Sequence, residues 1–81
     1  MRIVPERIDL TWIGTLTDED LIAIEARLHE RFSVLERREK KLHGQKYQLF
    51  RSPPDVMDAW DRWSRVNTAT RGRSLNPRRP R

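Results

Sequence analysis

The chain has no cysteine, three glycines and two histidines among its 81 residues. Without cysteine there is no disulfide to brace a small fold, and thiol chemistry is excluded. His29 and His43 stand far apart in the chain with only ordinary helix-surface acids nearby. A metal site needs three or four ligands at workable spacing, so no metal and no cofactor are expected. Gly14, Gly44 and Gly72 do not form a phosphate-cradling loop. Ser33, Ser52, Ser64 and Ser74 lack the His and acid partners that make a nucleophile. The acids are explained by capping and helix ion pairs, and a two-helix chain hardly forms the cleft that paired-carboxylate hydrolysis needs. The expectation is a protein without enzymatic activity.

Long apolar runs are missing too. Nothing approaches the ~20 residues of a membrane span. The start, Met1-Arg2-Ile3-Val4-Pro5, lacks the apolar region of a secretory signal. A cytoplasmic protein is expected, or one inside a viral particle, without membrane contact or small-molecule substrate. Apolar residues make up 36% of the chain and charged residues another 36%, which is lean for a globular domain. A single core of this size contributes about 3–5 kcal/mol at most. A homo-oligomer or a protein partner is therefore expected to complete it.

What is present is organised around Thr17 to Gly44. Thr17 suits an N-cap, with Asp20 three residues on as in a capping box. Leu16 and Leu21 fall at the staple positions N′ and N4. Asp18, Glu19 and Asp20 face the positive end of the helix dipole, and Lys40, Lys41 and His43 the negative end. Gly44 suits the left-handed position after the last turn. Leu21, Ile24, Leu28, Phe32 and Leu35 form one apolar stripe, widened by Ile22 and Ala26. Beyond Leu35 the stripe thins, so that half projects into water or lies along a partner. Arg37, Arg38, Lys40, Lys41 and Lys46 either extend a basic surface or, because Glu36 and Glu39 interrupt the run, form a solvated helix face, which is the preferred reading.

Ile8, Leu10 and Trp12 alternate with Asp9 and Thr11, the period of a strand or extended arm. Residues 46–51 read as a second short strand, or as a loop that inserts Tyr47, Leu49 and Phe50 into the core. Ser52-Pro53-Pro54-Asp55 starts a second helix, with Ser52 as cap and Pro53 at N1. Its inner face is Val56, Ala59, Trp60, Trp63 and Val66, and Asn67 to Thr70 are poor helix formers that predict fraying. The nine-residue connection, 44–52, is too long for a DNA-reading helix-turn-helix.

Residues 1–70 carry 12 Lys plus Arg against 12 acids, while 71–81 carry five arginines and no acid. Such a segment cannot bury enough to order itself in water. Arg71, Arg73, Arg78, Arg79 and Arg81 are the candidate polyanion ligands, because guanidinium pairs bidentately with phosphate. Nucleic acid, another polyanion or an acidic protein surface are the possible targets. Trp12, Trp60, Trp63, Phe50 and Tyr47 are core anchors or a partner interface.

The fold class is mainly α: two amphipathic helices, about 18–43 and 53–68, with an N-terminal extended arm, a short strand segment 46–51 and a basic tail. Residues 1–70 form one small domain and 71–81 a flexible tail. The leading function is an assembly or adaptor protein whose body docks on protein and whose tail contacts a polyanion. The alternative is a small regulator or inhibitor of a nucleic-acid-processing protein, or a nucleic-acid-binding regulator. The order helix, strand, helix, basic tail resembles small phage head–tail joining proteins. That likeness of order implies a structural component of a phage-like or nucleoprotein assembly.

Overall fold

The computed structural model of the chain describes residues 4–5 and 7–75, apart from the Phe50 side chain. Among these residues three helices follow in order: α1 (Leu10–Gly14), α2 (Asp18–His43) and α3 (Pro54–Gly72). Two 3-10 turns, Gly44–Lys46 and Leu49–Arg51, join α2 to α3. There is no strand among the described residues.

The first correction falls on the N-terminal arm. Residues 10–14 are helical, because Asp9 caps them with a carboxylate that accepts from the Trp12 amide at 2.8 Å. Ile8 and Ile13 occupy the N′ and N4 positions of a hydrophobic staple and both are buried. The alternating pattern put Ile8 and Leu10 on one side. The helical turn separates them and leaves Leu10 85% exposed. A helix of one turn is not stable by itself. This one is held from below by the core that Ile8 and Ile13 enter.

α2 has the expected bounds. The Thr17 hydroxyl accepts from the Asp20 amide at 3.1 Å, and the staple residues Leu16 and Leu21 are buried. Gly44 ends the helix with φ 56 and ψ −127, and its amide donates to the Lys40 carbonyl. That is not the left-handed helical well, but it is equally a region that L side chains avoid. The chain turns back there instead of extending.

Residues 46–51 are the second correction. With 10–14 helical, no neighbouring strand exists for them to pair with. Their amides go to local carbonyls: Tyr47 to Gly44, Arg51 to Gln48, Ser52 to Leu49. Tyr47 lies over the far half of α2, where its hydroxyl meets Glu36 and its ring lies under Lys40, while Leu42 stays 69% exposed. The likeness to head–tail joining proteins rested on a strand in this position and is not carried by the structure.

α3 is displaced one residue and lengthened. Pro53 sits at the cap position and Pro54 opens the helix, while the Ser52 hydroxyl donates to the Gln48 carbonyl instead of capping. The expected fraying from Asn67 does not occur. Val66 and Thr70 are fully buried, and burial outweighs weak helix propensity. The end is a Schellman motif centred on Ser74, whose φ is 58. Leu75 N–H donates to the Thr70 carbonyl at 2.9 Å and Ser74 N–H to Arg71 at 3.0 Å. Leu75 then packs on the core.

α2 and α3 pack antiparallel around two apolar clusters. The first holds Ile8, Ile13, Leu16, Leu21, Ile24, Leu28 and Val66, with Trp12 against it; the second holds Phe32, Val56 and Ala59, with Leu35, Leu49 and Trp60 against it. Trp63 touches both.

Candidate functional site

The arginine segment begins inside the fold. Arg71 is exposed in the last turn of α3. Arg73 is bound to the body. Its guanidinium donates to the Leu16 carbonyl at 2.9 Å, the Ile13 carbonyl at 3.1 Å and the Asp18 carboxylate at 3.1 Å. It thus closes the carbonyl end of α1 and meets the start of α2, tying three helices at one point. Arg78, Arg79 and Arg81 lie outside the described residues.

The aromatic candidates do not gather into one face. Trp63 stacks on Phe32 with centroids 5.8 Å apart and meets the His29 ring edge-on at 5.4 Å. Trp12 and Trp60 are half-buried against separate clusters. Tyr47 is half-buried over the other end of α2, and its hydroxyl donates to Glu36 at 3.0 Å. Burial, and then that hydrogen bond, push the Tyr47 pKa above its ordinary value of 10.0. Phe50's side chain lies outside the described residues.

Two acids are buried against expectation: Glu39 reads from the sequence as part of a solvated face, and Glu25 is not singled out there. Glu25 is 0% exposed and accepts the Trp63 indole N–H at 2.6 Å. Glu39 is 3% exposed and is met by the Arg38 guanidinium at 3.1 Å and by His43 at 3.6 Å. Both fall in phase with the apolar stripe: Glu25 follows Leu21 by four residues, and Glu39 follows Leu35 by four. That phase is the signal that finds them.

Glu39 belongs to a polar network at the far end of α2. Arg38 also bridges to Asp55 at 3.1 Å, and these two carboxylates raise its pKa further. Lys40 pairs with Glu36 at 3.2 Å and lies over the Tyr47 ring at 5.6 Å. Between α2 and the two turns is a cleft of about 200 Å³ lined by Glu39, His43, Lys46, Tyr47, Gln48, Arg51 and Ser52. It can bind through charge and hydrogen bonds.

The Ser33 hydroxyl lies 3.5 Å from His29 Nδ1, the outer limit of a hydrogen bond. His29 is packed against Trp63. No group of three His, Asp or Glu side chains among the described residues is arranged to hold a metal ion. None of the described helices is long and apolar enough to cross a membrane. Comparison with protein families, curated proteins and solved structures finds no match to this chain.

Proposed function

We propose that the chain is a non-enzymatic adaptor: a small helical body that docks on protein and carries a basic C-terminal segment that contacts a polyanion. The observation that carries this reading is the charge division. Residues 1–70 are balanced, and the whole excess of +5 lies in 71–81. Arg73 is spent on the body, so Arg71, Arg78, Arg79 and Arg81 are the polyanion ligands. The clamp at Arg73 has a use in this reading, since it fixes where the segment leaves the body. Trp12 and Trp60 are each only half-buried and are the anchors offered to a protein partner.

The test compares the full chain with a chain ending at Leu75, on duplex DNA over a salt gradient. Three arginines are removed, and each phosphate contact contributes about 0.9 to the slope of log affinity against log salt. The full chain should show a slope steeper by about 2.7. Equal slopes would refute the polyanion role. A sedimentation mass of one chain, with no protein retained after nuclease treatment, would refute the docking role.

A further inference from the structure

We propose that the end of the body formed by residues 36–55 is a second cationic surface, built for the phosphate backbone of nucleic acid. It rests on the reading of the chain as a polyanion-binding adaptor and adds a site within the folded body. In the linear sequence these residues look mixed, with six Lys plus Arg against three acids. The fold buries one of these acids and pairs the other two with cations. Successive helical residues turn by about 100°, so Glu39 lies about 200° around α2 from both Arg37 and Lys41. Glu39 accordingly points into the protein, 3% exposed. Glu36 pairs with Lys40 and accepts from Tyr47, and Asp55 pairs with Arg38. Arg37, Lys41, Lys46 and Arg51 are left exposed at this end. Lys46 and Arg51 also line the cleft described above, on the side of α2 that carries Glu39 and His43.

The surface fits phosphate better than it fits a protein. Lysine is depleted at protein interfaces, and three of the six cations here are lysine. Phosphate binding needs only point charges at intervals, and it has no requirement for an apolar centre. This end lies opposite the point where the arginine segment leaves, because α3 runs antiparallel to α2. The 26 residues of α2 separate the two by about 39 Å. A nucleic acid held by both therefore lies along the body over roughly 11 base pairs.

The experiment uses three chains: the full chain, the chain ending at Leu75, and the full chain carrying Lys41→Ala, Lys46→Ala and Arg51→Ala. Binding to a mixed-sequence duplex of about 24 base pairs is followed by anisotropy from about 50 to about 200 mM salt. The triple variant should lose about 2.7 from the salt slope, so that the full chain weakens about 40-fold more across this range. The chain ending at Leu75 should still bind, through the surface alone. A second variant, Lys41→Arg, Lys46→Arg and Arg51→Lys, should restore the full slope, which separates lost charge from lost folding. A triple variant with an unchanged slope would overturn the proposal while leaving the role of the tail intact. Binding that survives loss of the tail but vanishes in the triple variant would uphold this surface and sink the tail. A full chain that binds polyglutamate but not the duplex at equal salt would overturn this surface as a nucleic-acid site while leaving the tail a polyanion ligand.

Discussion

Arg73→Ala is the substitution that most directly probes how the molecule is closed. The side chain makes three hydrogen bonds: two to backbone carbonyls and one to Asp18. A hydrogen bond from a charged donor is worth about 1.5–3 kcal/mol when buried. Here the Arg73 side chain is 29% exposed and that of Asp18 is 64% exposed. The ion pair is therefore worth under about 1 kcal/mol, and water recovers part of the two carbonyl bonds. A total loss of about 2–3 kcal/mol is expected, or roughly 10–20 °C in Tm for a domain of this size. Urea denaturation followed by tryptophan fluorescence measures it. Asp18→Asn should cost less than about 1 kcal/mol, and that cost should disappear in ~1 M salt, where charges are screened beyond ~3 Å. Most of the cost of Arg73→Ala should persist there, because carbonyl bonds are not an ion-pair effect. Arg73→Lys should fall between, since an ammonium lacks the fork that spans both carbonyls. A stability within about 0.5 kcal/mol of wild type, or a loss fully removed by salt, would refute the clamp. If that unperturbed variant also bound duplex with a flatter salt slope, Arg73 would be a phosphate ligand instead.

Ser74→Gly should stabilise the protein by about 0.5–1 kcal/mol in the same assay. Ser74 sits at φ 58, where a Cβ costs roughly 1–2 kcal/mol and glycine gives back part of the gain through its larger unfolded-state freedom; a decrease in stability would contradict the Schellman assignment. Glu25 and Trp63 should be coupled by about 1.5–3 kcal/mol in a double-mutant cycle of Glu25→Leu and Trp63→Phe, because a buried carboxylate accepts the indole N–H. Additive losses would show that the bond contributes nothing. Tyr47 has its folded-state pKa raised above 10.0, so the unfolded chain ionises first as pH climbs. The stability that depends on neutral Tyr47 is complete below pH 10.0 and is lost as pH rises through the folded-state value. Comparing wild type with Tyr47→Phe across that range should show a steeper alkaline decline in wild type, and parallel curves would dismiss the effect.

How much of this was legible in the chain depended on how far apart the partners lie. α2 could be read because its cap, staple, dipole charges and terminal glycine all fall within residues 16–44. The same staple signal existed at Ile8, Asp9 and Ile13, yet the alternation of Ile8, Leu10 and Trp12 supports a strand equally well. What decides between them lies about 60 residues away, where Arg73 reaches the carbonyls that α1 leaves open. The length of α3 was hidden for a similar reason. Asn67 to Thr70 argue against a helix locally, and only burial of Val66 and Thr70 beneath the other elements reverses that. The arginine segment was legible because charge in a run needs no fold to be counted. The basic run from Arg37 to Lys46 was visible too, but Glu36 and Glu39 interrupt it in the linear order and favour a solvated face. Helical phase changes that reading: Glu39 stands on the stripe of Phe32 and Leu35, and Arg37 and Lys41 stand across from it. Burying an acid there is tolerable only because Arg38 and His43 meet it. Those inward contacts leave Arg37 and Lys41 exposed across the helix from Glu39, and an apolar residue in place of Glu39 would leave those two cations where they are.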